Sequence, residues 1–467
     1  MTYGPYVGRD FTYEPYVKGP TGATMLSQIR TELPGILRLV FPIVAGLAAA
    51  TLIGVADAVM LAPLGAVPLA AVGLTGAGAG LLYAAVWGLL SALSVRVGEA
   101  WGAGEGRRIP HILHNGLALG LGVGIAAAGA MGLMWFALPY LDQPAEVLEA
   151  VPAYWALICL YLIPYAVLTV FKATFEAVER PWTGAAFAFS AVLMNVAFNW
   201  LLIYGPGPFP ALGLTGAGIA SLLAETLSLA FAFGYWRYAP SMKRLRLRRS
   251  LDRVEITAAL REGAPLGVLY VVESGSVTVA TLLIGAFGTV ALAGNQVAGT
   301  VGGVLYMVPL GIAGAVAIRV AQARGAGEPG TLRAIALAAL LVATVWLALA
   351  ALALGLFGRE IAALITDDPA VIEVAAAMFL VFALFQLVDG VQSTMMGALR
   401  GLSDTAWPAG VSILAYWVLS LPLGWMLAHW GGLGAPGIWL GFLLGLIVAA
   451  ALLIHRFLQK TDEAIAD

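Results

Sequence analysis

Asp57, Glu273 and Asp389 are acids embedded in long apolar segments: PIVAGLAAATLIGVADAVMLA from Pro42, PLGVLYVVESGSVTVATLLIGAF from Pro265 and MFLVFALFQLVDGVQSTMMGAL from Met378. A charged group at bilayer depth costs roughly 2.5–3.5 kcal/mol even on lenient insertion scales. Such residues face a protein interior or a water-filled path, and they mark routes for ions, protons or substrate. Asp389 shares one helix face with Gln386, Gln392 and Ser393, at i−3, i+3 and i+4. Glu273 has Tyr270 at i−3 and Ser276 at i+3, again on one face. Asn195 and Asn199 stand at i, i+4 in MNVAFNWLLIYG. Carboxylates flanked by amide and hydroxyl oxygens suit hard cations such as Na⁺, so Glu273 and Asp389 are candidate Na⁺ ligands. Desolvated carboxylates can equally carry protons. Tyr416, in LAYWVLSLPLGW, is a further candidate to line a cavity, as are Tyr270, Ser276, Gln386 and Gln392. Glu225 lies in an apolar run with no clear polar stripe, and Lys172, Glu176, Glu179 and Arg180 near a predicted helix end read as snorkelling or solvated.

The elements that position these residues must be membrane helices. The chain of 467 residues is 61% hydrophobic and only 11% charged, against about 25% charged in soluble domains. Mean hydropathy is +0.92. A net charge of −2 points to no nucleic-acid partner. The single cysteine, Cys159, closes no intramolecular disulfide and reads as a packing residue. There is no Walker motif, so an ion gradient rather than ATP should supply energy, and no cofactor is expected. No His/Cys metal cluster or nucleophile motif suggests an enzyme; His111, His114, His429 and His455 fall near predicted membrane edges.

Twelve apolar runs are long enough to span a bilayer, from 35–61 at one end to 433–456 at the other. Lys243, Arg244, Arg246, Arg248, Arg249 and Arg253 follow the sixth run, which makes that loop cytoplasmic by the positive-inside rule. Arg107, Arg108, Arg180, Arg324, Arg400, Arg456 and Lys460 fall on the same side. The opposite loops carry Asp142, Glu146, Glu149, Asp367 and Asp368, with Arg359 as their one basic residue. Both termini are therefore expected in the cytoplasm. The polar, aromatic stretch before the first run does not read as a signal peptide.

The chain is a duplication. Pro42 in LVFPIVAG matches Pro265 in EGAPLGVL, an offset of 223 residues (265 − 42). VRVGEAWGAGE at Val95 matches IRVAQARGAGE at Ile318 with the same offset (318 − 95 = 223). The repeated GAGE segments read as helix-ending turns rather than phosphate loops. Each half holds six spans, so the halves run parallel, related by an axis along the membrane normal. The offset places Asp57 opposite Ala280 and Glu273 opposite Ala50; a later offset of 225 (367 − 142) places Asp389 opposite Pro164. None of the acids belongs to the shared skeleton. The expected organisation is a tail at 1–33, a six-helix lobe at 34–240, a basic linker at 241–256, a second lobe at 257–458 and a tail at 459–467.

With these residues in view, the chain from about Leu33 to Phe457 resembles the multidrug and toxin extrusion (MATE) family, in its NorM-like branch. The motifs are GVADAVMLAPLGAVPLAAVGL, NVAFNWLLIYGPGPFPALGLTGAGIAS, GAPLGVLYVVE and FQLVDGVQSTMMGALRGLSDTAWPAGVSILAYWVLSLPLG. The resemblance implies two six-helix lobes around a central cavity that opens to either side in turn. It implies export of organic cations in exchange for Na⁺ or H⁺. It assigns coupling-ion and substrate roles to Asp57, Asn195 and Asn199 in the first lobe and Glu273 and Asp389 in the second. The expectation is an all-α antiporter of drug-like cations in a prokaryotic inner membrane, working as a monomer. The competing reading is a flippase for a lipid-linked precursor, which would need a basic cavity to hold pyrophosphate.

Overall fold

The computed structural model describes residues 24–140, 143–246 and 250–466. Among the described residues, twelve helices are long and apolar enough to cross a membrane. They are α1 (Met25–Leu61), α2 (Ala66–Gly102), α3 (Arg108–Met134), α4 (Ala145–Ala177), α5 (Pro181–Tyr204) and α6 (Gly213–Tyr238). The second half has α7 (Arg253–Gly285), α8 (Thr289–Gly325), α9 (Leu332–Ala363), α10 (Pro369–Gly401), α11 (Ala406–His429) and α12 (Ala435–Ala466). A π turn at Leu414–Ser420 interrupts α11. Twelve crossings return the chain to its starting side, so Met25 and Ala466 lie on one face.

Several helices outrun the apolar stretches that predict them. α1 starts at Met25, inside the expected tail, and α12 continues to Ala466 through the expected C-terminal tail. Apolarity reports only the part of a helix that lies in lipid; backbone hydrogen bonding carries the helix on into polar sequence. The described residues at the two ends of the linker are built into structure. Pro240–Arg246 forms a 3₁₀ turn. Asp252 Oδ1 then caps α7 by accepting from the Val254 N–H at 2.8 Å, while the Asp252 N–H donates to Asn115 Oδ1 of α3 at 2.7 Å. The cap bond holds the Asp252 carboxyl below the usual carboxylate range. Expectations for residues 1–23, Asp142, Arg248 and Arg249 lie outside the described residues.

The duplication is repeated in the backbone. α2 and α8 each have 37 residues and begin and end 223 positions apart (289 − 66). Each is entered through a glycine at positive φ, Gly65 at +109° and Gly288 at +106°, a region that side chains rarely adopt.

The two lobes meet on the side that carries the chain ends. There α2 crosses α8 so closely that a Cβ on Gly102 would enter the Gln322 carbonyl, and one on Gly325 the Glu99 carbonyl. Those two contacts are the same contact in each half. Ion pairs flank the crossing. Arg96 of α2 reaches Glu255 at 2.9 Å and Glu262 at 2.6 Å, both on α7. Arg319 of α8 reaches Glu32 of α1 at 2.7 Å and Glu179 after α4 at 3.5 Å. On the far side the lobes part. A cavity of about 610 Å³ opens between Leu74–Leu81 of α2, Trp155 of α4 and Ser274 and Thr278 of α7. The structure is thus closed at the terminal face and open at the opposite one.

Candidate functional site

The structure gathers the acids into two separate clusters, one in each lobe. In the first lobe α1 packs on α5 and α5 on α6, which brings Asp57, Asn195, Asn199 and Ser221 together. Asn195 and Asn199 are one turn apart on α5, so both amides face α1. The Asn195 and Asn199 amides donate to Asp57 Oδ1 at 3.1 and 2.6 Å. Ser221 Oγ donates to Asp57 Oδ2 at 2.9 Å. Asn199 also donates to Asn195 Oδ1 at 3.1 Å. Asp57 is 3% exposed and both asparagines are fully buried. A buried carboxylate of this kind needs its lone pairs filled, and three neutral donors fill them without adding a positive charge. Asp57 and Ser221 border a cavity of about 240 Å³ whose walls include Thr75, Tyr83, Tyr154 and Tyr161.

In the second lobe the cluster spans four helices. Tyr306 of α8 donates to Glu273 Oε1 at 3.2 Å, and the Tyr416 hydroxyl of α11 bonds the same carboxyl. Tyr306 also shares a hydrogen bond with Ser393 of α10. Glu273 lies close enough for its charge to act on Asp389, whose Oδ1 is buried without a hydrogen-bond partner. Tyr416 is buried within the π turn of α11, and such turns are frequent at functional sites. Carboxylate and hydroxyl oxygens thus converge, with one acceptor left open. Among the described residues no group of three or more His, Cys, Asp or Glu side chains converges as a metal site.

The polar stripes read from the sequence divide between this cluster and the scaffold. Gln386 donates to the Gly302 carbonyl at 3.1 Å and Gln392 to Ser412 Oγ at 3.1 Å, tying α10 to α8 and α11. Ser276 bonds the backbone carbonyl of Glu273 at 2.7 Å rather than its carboxyl, the usual recourse of a serine within a helix. Tyr270 stays within reach of the Glu273 charge but bonds elsewhere: its ring packs edge-on to Trp87 of the first lobe at 5.1 Å and its hydroxyl bonds Arg400.

Arg400 corrects a sequence expectation. It is no loop cation but is buried between the lobes, donating to Ser91 Oγ at 3.2 Å and the Ala313 carbonyl at 3.0 Å. Lys172 and Glu176, read as solvated, line a small cavity of about 40 Å³ with Arg400. Lobe contact covers what a helix-end reading exposes. The sequence reading also missed Ser221, Tyr306, the tyrosines around Glu225 and three glutamates of the cross-lobe ion pairs, Glu32, Glu255 and Glu262, and it left Glu179 as solvated. Arg96 and Arg319 could have been found, because the offset of 223 (319 − 96) aligns them, as it aligns Glu32 with Glu255.

The sequence profile of the MatE family matches residues 42–201 and again 265–426. The two matches start at Pro42 and Pro265, the pair that first revealed the duplication. A "Probable multidrug resistance protein NorM" of Deinococcus radiodurans is 34% identical over 440 residues, covering 92% of this chain and 96% of the relative. A protein of the same name from Synechococcus is 32% identical, covering 94% of this chain and 96% of its own length. The crystal structure of the eukaryotic MATE transporter AtDTX14 shares the fold, with a TM-score of 0.84 at 21% identity over 94% of this chain and 99% of that one. A twelve-helix duplication, matched half by half along its length, places this chain in the MatE family.

Proposed function

We propose that this protein exports organic cations across a prokaryotic inner membrane in exchange for Na⁺ or H⁺, with both termini in the cytoplasm. Family membership and the multidrug-resistance names of its relatives support the class of activity. The clustering of basic residues at the loops nearest the chain ends supports the orientation. The observation that carries the coupling is the Glu273–Asp389 pair. Glu273 and Asp389 stand on separate helices within reach of one another's charge, tyrosine hydroxyls bond Glu273, and Asp389 keeps an unfilled acceptor. A cation arriving there cancels repulsion between the acids. It therefore binds one arrangement of α7, α8, α10 and α11 better than another, and such differential binding is what couples an ion to a conformational change. Asp57 with Asn195 and Asn199 provides the corresponding site in the first lobe, next to its own cavity. The residues bordering the 610 Å³ cavity include no Lys or Arg, which favours cationic substrates over a pyrophosphate-linked lipid.

Uptake of a fluorescent cation into proteoliposomes, under a Na⁺ gradient alone and then a pH gradient alone, tests this reading and identifies the ion. The Asp389→Asn variant is expected to be folded and inactive under either gradient. Full transport by that variant removes the assignment.

A further inference from the structure

Asp389 and Arg400 share one face of α10, 11 residues apart (400 − 389), which is about three turns and about 16 Å along the axis. Asp389 belongs to the acid cluster of the second lobe, Arg400 to the terminal face where the lobes close. Arg400 is 3% exposed, and among the described residues no carboxylate pairs with it. Its acceptors are neutral and come from both lobes: Ser91 Oγ of α2 at 3.2 Å, the Ala313 carbonyl of α8 at 3.0 Å and the Tyr270 hydroxyl of α7. Its Nε–H is buried with no acceptor. Glu176 acts on it only through the field. Lys172 and Glu176 border the same small cavity one turn apart on α4, and their opposite charges add no net counter-charge. A guanidinium held in this way is costly to bury, and parting of the lobes at this face would give it water.

Tyr270 joins the acid cluster to this arginine. It stands three residues before Glu273 on α7, on the same face. The charges of Arg400, Glu273 and Asp389 all reach its hydroxyl. Its ring is fixed by the first lobe: Trp87 packs edge-on at 5.1 Å, and a Cβ on Gly88 would lie 2.5 Å from Tyr270 Cδ2. A hydroxyl on a fixed ring responds to its surroundings by rotating its proton. When its oxygen accepts from Arg400, that proton is free to point elsewhere, and ionised Glu273 and Asp389 attract it to their side. Hydrogen bonds in such a chain polarise one another, so the negative acids strengthen the Arg400–Tyr270 bond. A cation at the acids cancels that field and weakens the bond, although Arg400 is already short of an acceptor. The closed terminal face then loses stability relative to the parted one.

We propose that Tyr270 and Arg400 are positioning residues that couple cation binding at Glu273 and Asp389 to opening of the terminal face. The coupling rests on the ion-site reading above, and two measurements separate them. Binding is read from thermal unfolding of the purified full-length protein, with Na⁺ in place of K⁺ and then in acid in place of alkaline buffer, since a bound ion stabilises the fold. Asp389→Asn supplies the baseline for ion effects elsewhere in the chain. Opening is read from electron-spin distances between labels at Leu26 of α1 and Val254 of α7, both exposed, in a chain lacking Cys159. In wild type the ion is expected to raise the longer-distance population about fivefold or more, the low end of couplings between sites. Tyr270→Phe keeps the ring and lacks the hydroxyl. It should keep the stabilisation by the ion and hold the distance response to within about twofold. Arg400→Gln should behave alike, and Arg400→Lys, which keeps a charged donor, should recover part of the response. A role in packing alone predicts a wild-type response in Tyr270→Phe. Should Arg400→Gln fail to fold, Tyr270→Phe decides. A wild-type distance response in either variant, or no response in wild type, overturns the relay, and stabilisation by the ion then leaves the ion site standing. Absence of ion stabilisation in wild type, measured against Asp389→Asn, overturns the ion-site reading and the relay with it.

Discussion

Arg96 and Arg319 make the same ion pair in opposite directions across the lobe interface. They stand 223 residues apart (319 − 96), and so do the glutamates they grip, Glu255 and Glu32 (255 − 32). The duplicated chain thus holds its closed face with two copies of one contact, each reaching from the second helix of one lobe to the first helix of the other. Separation of the lobes at this face breaks both contacts together. Replacing both arginines, as Arg96→Gln with Arg319→Gln, is expected to favour that separation. Each partly exposed pair contributes on the order of 1 kcal/mol, which is about a fivefold shift in population. Electron-spin distance measurements between labels at exposed Leu26 and Val254, in a chain lacking Cys159, should show a longer population in the variant. Restoring one pair with reversed charge, Glu32→Arg with Arg319→Glu, should recover part of the closed state. An unchanged distance distribution would show that the glycine crossing alone holds the lobes.

The glycine crossing gives a second expectation. A methyl group on Gly102 or Gly325 would meet the carbonyl of Gln322 or Glu99 on the facing helix. Backbone cannot yield to it as a flexible side chain could. Gly102→Ala is therefore expected to hold the terminal face open and to lower transport, with insertion and helix content intact. Gly65→Ala instead places a side chain at positive φ and should reduce the yield of folded protein. Circular dichroism with transport assays separates the two effects.

How much of this was legible beforehand follows from what each signal measures. Hydropathy alone gave the twelve spans, because it depends on the bilayer and not on helix packing. Asp57, Asn195, Asn199, Glu273 and Asp389 were visible because an acid or a spaced amide pair stands out against apolar sequence. Their grouping was not visible. Which helices α5 and α10 face is a tertiary fact, so Ser221 and Tyr306 looked like ordinary helix residues. The π turn at Leu414–Ser420 also has no periodic signature, so helical spacing alone did not say which face Tyr416 takes. Glu225 failed for a related reason: its aromatic neighbours come from α2 and α4 and leave no stripe on α6. Lys172 and Arg400 were misread because a charge near a helix end is normally solvated, and only lobe closure covers these two.

The cap at Asp252 predicts a dependence on pH. The Val254 N–H holds this carboxyl below its usual range, so folding is favoured when it is ionised. That contribution is present above the pKa of the unfolded carboxyl and disappears as pH falls through the lowered folded value. Asp252→Ala should lower the melting temperature at neutral pH, and the difference from wild type should shrink towards about pH 3, below the ordinary aspartate range. Asp252→Asn keeps a capping oxygen and should lie between the two at neutral pH. A constant difference across the range would assign the effect to packing against His111 and Asn115 rather than to the charge.

Tyr306 offers the sharpest separation of ion binding from architecture. Its hydroxyl is shared between Glu273 of α7, at 3.2 Å, and Ser393 of α10. Tyr306→Phe removes that hydroxyl and leaves the ring that packs between the helices. A hydrogen bond to a charged group is worth about 1.5–3 kcal/mol, and part of this is regained if the coupling ion takes its place on Glu273. If the hydroxyl is itself an ion ligand, the concentration of coupling ion giving half-maximal transport should rise about tenfold with the maximal rate nearly kept. If it only competes with the ion for Glu273, that concentration should fall. The structure favours the first outcome, because Tyr306 and Tyr416 converge on Glu273 from separate helices while the nearby Asp389 keeps an open acceptor. A cation bridging the two acids would then sit within reach of both hydroxyl oxygens. Transport measured against ion concentration for wild type, Tyr306→Phe and Tyr416→Phe decides between the two. Matching rises for both variants would identify a shared coordination shell, and a fall in either would make that tyrosine a competitor of the ion.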